Sequence, residues 1–157
     1  MPGGSKWNKE RVLEIIGAHL QMEGPVLPIL HAIHHEFGCI SDQDIVLVAE
    51  AVNVTRAEIH GVVSFYHDFR RKPAARHVLK LCRAEACQAV GADALADHVK
   101  SRLRAGWGET GRTAAVTLEP VFCLGLCALG PAALLDGEPI GRLDPKRADA
   151  LLDGCGS

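Results

Sequence analysis

Two pairs of cysteines do more than anything else in this chain to limit what it can become. Four residues lie between Cys82 and Cys87, three between Cys123 and Cys127, and 35 between the two pairs. Local turns cannot bring four such thiols together, so any fold that unites them must do it through topology. The length of 157 residues allows one domain, or a small domain with a helical extension. At 48% hydrophobic residues a packed core is within reach.

The residues around the pairs supply a topology. His77 to Cys82 is a short β-like run with Leu79 and Leu81 on one side. A helix is expected next, with Leu95, Val99 and Leu103 on one face and Gly106 after its end. Ala114 to Glu119 alternates like a second strand. Ala132 to Leu135, Asp136-Gly137 and Pro139 to Leu143 read as a hairpin on a tight turn. Asp144-Pro145 then caps and opens a last helix to Leu152. The order βαβ followed by ββα is the thioredoxin-like arrangement, an α/β (α+β) class. Its first two strands run parallel, so the loops carrying Cys82/Cys87 and Cys123/Cys127 leave the sheet at one edge.

Upstream, the chain reads as short helices. Val12, Ile15, Ile16, His19 and Leu20 form the first, which Gly24-Pro25 stops. A second is expected after Pro28, with Ile29, Ile33 and Phe37 on one side and Gly38 as its cap. Ser41 with Asp44, and Thr55 with Glu58, have the capping-box pattern and open a third and a fourth. The fourth carries Ile59, Val62, Val63, Tyr66 and Phe69 at helical period, with Pro73 marking its end. A domain boundary is therefore placed near residues 72–76, giving a helical domain at 1–75 and a thioredoxin-like domain at 76–157.

Composition excludes several functions. The net charge is −2 with both signs dispersed, and no basic stripe suited to nucleic acid is visible. The one basic cluster, Arg70-Arg71-Lys72, reads as a solvated helix end. Met1 to Glu10 lacks the apolar segment of a signal peptide. The longest uncharged apolar run, Val121 to Leu135, is too short to span a bilayer and holds two glycines and a proline. A cytoplasmic protein is expected, and six cysteines there point to metal or redox chemistry rather than disulfides.

Three chemistries compete for the four thiols. Zinc accepts four thiolates, but its pairs usually sit in compact knuckles with shorter gaps. A thiol–disulfide site wants C-x-x-C, which the chain lacks. A [2Fe–2S] cluster needs two thiolates per iron spread more widely, and Gly125 and Gly130 suit a backbone that closes round the sulfides. Plant-type ferredoxin spacing and Rieske histidines are both missing. Spacing favours the iron–sulfur site and leaves zinc open.

Cys123-Leu124-Gly125-Leu126-Cys127, paired with Cys82 and Cys87, resembles the thioredoxin-like [2Fe–2S] family of the 24-kDa-type subunit of respiratory complex I. Related subunits occur in NAD-linked hydrogenases and formate dehydrogenases. His60-Gly61-Val62 and Ser64-Phe65-Tyr66 look like the family's signature. Four further stretches are most similar to the gamma subunit of soluble, molybdenum-containing NAD-dependent formate dehydrogenase. They are Pro28-Ile29-Leu30-His31, Phe65-Tyr66-His67, Arg83-Ala84-Glu85-Ala86-Cys87-Gln88 and Thr117-Leu118-Glu119-Pro120-Val121. Gly130 stands before Pro131 where complex I members usually carry alanine.

The resemblance implies one [2Fe–2S] cluster on Cys82, Cys87, Cys123 and Cys127 and an electron-transfer subunit without a substrate site of its own. It implies docking onto a flavoprotein subunit that holds FMN and NAD, with further Fe–S clusters and a molybdenum cofactor on partner subunits. The molybdenum subunit would oxidise formate to CO₂. Alternatives are the equivalent subunit of complex I or of an NAD-linked hydrogenase, a zinc-stabilised binding module, and a free-standing ferredoxin.

Other motifs read as bystanders. Gly106 to Gly111 spells G-x-G-x-x-G, but a helix precedes it and a strand follows, so a flexible connector is expected and no NAD site. His31, His34 and His35 read as solvated or interface histidines, and Phe65, Tyr66 and Phe69 as helix packing or a subunit contact. Cys39 is expected to be a small apolar residue at a helix end, and Cys155 a free, exposed thiol. Arg83 either raises the cluster's potential or pairs with Glu85.

Overall fold

The computed structural model describes residues 6–112 and 115–156. The chain divides between Pro73 and Ala74 into two compact units.

The first unit holds four helices, α1 (Lys9–His19), α2 (Val26–Phe37), α3 (Asp42–Val52) and α4 (Arg56–Phe65). Their apolar faces close one core around Val12, Ile29, Leu30, Ile33, Val48 and Ile59. Each such side chain contributes about 1.5–3 kcal/mol on burial. Both capping boxes form: Ser41 with Asp44, and Thr55 with Glu58. Asp44 is fully buried, yet its carboxylate accepts from the Ser41 N–H (2.7 Å), the Ser41 hydroxyl (2.6 Å) and the Trp7 indole N–H (2.9 Å). A buried carboxylate is tolerated because its donors replace water.

Two helix boundaries differ from expectation. α2 begins at Val26, not after Pro28, because a proline in a first turn removes an N–H that has no helical partner anyway. α4 stops at Phe65, where Tyr66 turns extended, rather than running on towards Pro73. Phe69 still reaches the core, through a turn closed by its own N–H on the Tyr66 carbonyl (3.0 Å). Its ring meets His31 at 4.9 Å and His34 at 5.9 Å, and His34 Nε2 accepts the Arg70 N–H at 3.4 Å. Arg70 and Arg71 therefore follow a turn and not a helix end; Arg71 pairs with Asp42 and the Arg70 carbonyl receives the Ile40 N–H.

The second unit is a five-stranded sheet in the spatial order β2 (Glu109–Thr110), β3 (Val116–Val121), β1 (His77–Cys82), β4 (Ala133–Leu135) and β5 (Glu138–Ile140). β1 (His77–Cys82) and β3 (Val116–Val121) are parallel, with His77 opposite Val116 and Cys82 opposite Val121. β4 (Ala133–Leu135) is antiparallel to β1, and β5 (Glu138–Ile140) to β4. Asp136 (φ 53°) and Gly137 (φ 93°) make the two-residue turn the Asp-Gly pair demands. Helix α6 (Ala92–Leu103) and helix α7 (Pro145–Cys155) lie side by side, joined by His98–Asp149 (2.9 Å) and Arg102–Asp153 (2.6 Å). Leu79, Val99, Val116, Leu118, Leu143 and Ala148 fill the core. The expected thioredoxin-like α/β plan is present.

Three details were not anticipated. The helix after Cys82 is split into a short α5 (Glu85–Gln88) and α6, because Gly91 takes a left-handed φ of 96°. The Gly106–Gly111 segment is no flexible connector. It contains β2 (Glu109–Thr110), an edge strand antiparallel to β3. The Gly108 and Gly111 N–H groups bond the Leu118 and Val116 carbonyls, and Thr110 meets the buried Thr117 hydroxyl at 2.9 Å. β2 ends before Pro120, whose missing N–H therefore breaks no ladder. Finally, α7 runs to Cys155, which is 6% exposed; the thiol is free but buried, against the expectation of an exposed tail. Ala114, at the start of the expected second strand, lies outside the described residues. No helix among the described residues is long and apolar enough to cross a membrane.

Candidate metal centre

The parallel pairing of β1 with β3 sets Cys82 beside Val121 at one edge of the sheet. From Cys82 the chain bends through Arg83-Ala84 into α5, which carries Cys87. From Val121 it enters a loop with Cys123, Gly125 and a 3-10 turn, Cys127–Leu129. Cys82 and Cys87 are buried, whereas Cys123 and Cys127 are exposed. Three backbone bonds fix the edge. Cys82 N–H donates to the Ala132 carbonyl (2.9 Å), Arg83 N–H to Val121 (2.8 Å), and Cys87 N–H to Ala84 (2.9 Å).

The four free thiols interact as two pairs, Cys82 with Cys87 and Cys123 with Cys127. Burial pushes the Cys82 thiol up, but the N–H of Ala84, the Cys87 thiol, and the N–H groups of Cys123 and Leu124 together hold it below the ordinary thiol value. Cys87 is raised, first by burial and then by its bond to Cys82, against the opposing Ala132 N–H. Cys127 is raised by its bond to Cys123 and then by that neighbour's charge. Gly125, at φ 74°, donates its N–H to Cys123 Sγ at 3.4 Å. A Cβ on Gly130 would lie 3.5 Å from Cys87 Sγ and 2.9 Å from Val90 Cγ2, so the backbone there passes close to the sulfur. The backbone at both glycines thus runs beside a thiol sulfur.

Cys82 and Cys87 pack with Ala92 and Ala132, walled by Ala84, Val121, Leu124 and Leu126. Among the described residues no group of three or more His, Cys, Asp or Glu is placed to hold a single metal ion. Two thiol pairs, several N–H groups aimed at sulfur and an apolar wall fit a group that takes two thiolates at each of two irons.

Arg83 does not pair with Glu85. Its guanidinium reaches Asp93 at the start of α6 (3.0 Å) and lies 5.4 Å from the Trp107 ring centre, whose ring Lys100 also covers at 4.5 Å. Trp107 carried no sequence signal for this role, since only the fold brings it to Arg83. Phe122 (71% exposed), Val90 and Leu129 are further large apolar side chains open to solvent near the site. They sit outside any amphipathic period, which is why pattern alone passes over them.

Fold and site together define a thioredoxin-like protein with a four-thiol centre at the sheet edge. The sequence profile of the thioredoxin-like [2Fe–2S] ferredoxin family matches residues 12–156, and the chain belongs to that family. Among curated relatives it is 30% identical over 144 residues to an NADH-quinone oxidoreductase subunit of Mycobacterium tuberculosis, covering 92% of this chain and 57% of that one. It is also 30% identical over 151 residues to an NADH-quinone oxidoreductase subunit of Thermus thermophilus, covering 94% and 83%. Among solved structures, the air-oxidised NAD+-reducing [NiFe]-hydrogenase matches with a TM-score of 0.67 and 28% identity, over 83% of this chain and 22% of that one. The chain thus spans little more than half of the first curated relatives it matches.

Proposed function

We propose that this chain is the electron-transfer subunit of an NAD-linked oxidoreductase, with Cys82, Cys87, Cys123 and Cys127 as the ligands of one [2Fe–2S] cluster. The observation that carries the reading is the convergence of two thiol pairs at one sheet edge under N–H donors. Bound there, the cluster would supply one-electron transfer with little change in geometry. The chain's own part is electrostatic and steric. The N–H groups of Ala84, Leu124, Gly125 and Ala132 offset negative charge on sulfur, and the alanine and leucine wall keeps water from Cys82 and Cys87. No substrate is activated on this chain.

For the complex, we favour a soluble, cytoplasmic NAD-dependent formate dehydrogenase. Residues 1–75 would dock, and residues 76–157 would hold the cluster against a flavoprotein subunit with FMN and NAD. A molybdenum subunit and further Fe–S clusters would complete the path from formate. The support is the Arg83-to-Gln88 and Thr117-to-Val121 stretches and Gly130 before Pro131. A second reading, the equivalent subunit of complex I or of an NAD-linked hydrogenase, is favoured by the names of the relatives.

Anaerobic purification of the full chain with its native partners tests both levels. About two irons and two sulfides per chain, with a rhombic S = 1/2 signal only after reduction, are expected. One zinc per chain from iron-replete cells would overturn the cluster. Co-purifying molybdenum and flavin subunits support formate dehydrogenase; membrane or nickel subunits would replace it with the second reading.

A further inference from the structure

Cys127 lies in a 3-10 turn that has no buried residue, and Leu129, which ends the turn, is itself exposed. Apolar packing therefore does little to hold this ligand in place. Hydrogen bonds from the segment between β5 and α7 run along it instead. Arg142 N–H donates to the Leu129 carbonyl at 2.5 Å, and Leu143 N–H donates to the Pro131 carbonyl at 2.9 Å. Leu143 is 1% exposed in the main core, so the segment is anchored to the sheet.

Two residues keep the segment in register with the turn. A Cβ on Gly141 would lie 2.7 Å from Leu129 Cβ and 3.1 Å from the Leu129 carbonyl oxygen. Neither atom can swing away as the end of a long side chain could, so any larger residue must displace backbone. Arg147, in the first turn of α7, donates from one guanidinium nitrogen to the carbonyls of Gly141 (2.9 Å) and Arg142 (2.6 Å). That fixes the peptides on either side of the Arg142 Cα, one of which carries the Arg142 N–H, at a residue whose φ is 52°. A left-handed φ on a non-glycine residue persists only where its surroundings enforce it.

We propose that Gly141 and Arg147 are positioning residues that hold the Cys127 turn within reach of the other three thiols. The proposal rests on the ligand reading above for its consequence, but the placement of the turn can be measured without a cluster. The full-length variants Gly141→Ala, Arg147→Met and Arg147→Lys are compared with the wild-type chain. In loaded protein, bleaching of the visible absorbance by a chelator should run about 10-fold faster for Gly141→Ala and Arg147→Met, as for other losses behind a metal ligand. Arg147→Lys, which keeps a donor, should restore most of the difference.

In metal-free protein, iodoacetamide labelling located by mass spectrometry should speed at Cys127 in the first two variants and stay constant at Cys87. Equal bleaching with an unchanged Cys127-to-Cys87 labelling ratio overturns the proposal. So does equal acceleration at both cysteines, which marks general loosening. Should Arg147→Met fail to fold, Gly141→Ala decides by the same ratio. A wild-type chain that takes up no iron would overturn the ligand assignment instead, and the labelling ratio still decides the positioning.

Discussion

The Cys123 N–H helps to hold the Cys82 thiol below its ordinary value, across the gap between two loops that share no sequence neighbourhood. Cys123 takes a φ of 86°, a conformation a non-glycine residue adopts only under compulsion. The unusual backbone turns successive N–H groups, of Cys123 and Leu124, onto one thiol. The second pair is thereby tied to the first by backbone as well as by sulfur. Replacing any one of Cys82, Cys87, Cys123 or Cys127 by serine should therefore abolish stoichiometric iron and sulfide while leaving far-UV circular dichroism intact. Cys39→Ser and Cys155→Ser should retain both. Full iron in any of the four serine variants would remove that cysteine from the ligand set.

Arg83, the residue after Cys82, lies 3.0 Å from Asp93 and against Trp107. Because the carboxylate offsets the guanidinium, the site feels only part of that positive charge. Asp93→Asn should raise the reduction potential and Arg83→Gln should lower it. Each change should stay within about 60 mV, the equivalent of a tenfold change for one electron. Redox titration followed by EPR gives the answer. Shifts of the same sign in both variants would mean that loop distortion, not charge, sets the potential.

Asp136 ties the hairpin turn back to the start of β1. Burial pushes its carboxyl up, but the His77 ring at 2.6 Å and the Val78 N–H at 2.8 Å outweigh that and hold it below the usual aspartate value. A carboxyl depressed by folding adds stability that is complete above its unfolded pKa and disappears as pH falls through its folded pKa. The contribution should therefore be constant near neutrality and be lost below about pH 4. Asp136→Asn keeps the turn, since asparagine before Gly137 also accepts a left-handed φ. It should cost about 1 kcal/mol at pH 7 and flatten the acid limb of a urea-denaturation series. An acid limb identical to wild type would show that other carboxylates dominate.

Much of this molecule was legible before the fold was known, wherever the signal was local. The capping boxes at Ser41 and Thr55, the Asp136-Gly137 turn and the Asp144-Pro145 start are each decided within four residues, and all appear as read. The convergence of the cysteines was legible because one parallel pairing, β1 with β3, suffices to bring both loops to an edge. What escaped depends on distant partners. β2 exists because Thr117 and the β3 carbonyls receive it, and α4 stops short because the turn at Tyr66 brings Phe69 back onto α2. Cys155 sits among glycines in sequence and is buried only because α7 continues one turn further over the core. Arg83 had an acidic neighbour two residues away in sequence, but α5 carries Glu85 outward and α6 offers Asp93 instead.

Phe65 closes α4 with 74% of its surface exposed, and Tyr66 beside it is also open, their rings edge to face at 5.2 Å. Exposed aromatics of this size contribute little to the fold they stand on, but they are the residues that most often anchor an interface. The helix packs inward through Ile59 and Val63, so the exposed pair can be altered without opening the core. Phe65→Ser should change the thermal midpoint of the chain by no more than the equivalent of about 0.5 kcal/mol. Binding to the proposed flavoprotein subunit should weaken by about tenfold or more, close to 1.4 kcal/mol. Calorimetric titration of the loaded chain measures this, with the iron content of the variant checked in the same preparation. Unaltered affinity would place the docking surface elsewhere, whereas a fall in the thermal midpoint that matches the lost affinity would mean that Phe65 holds the helical unit together.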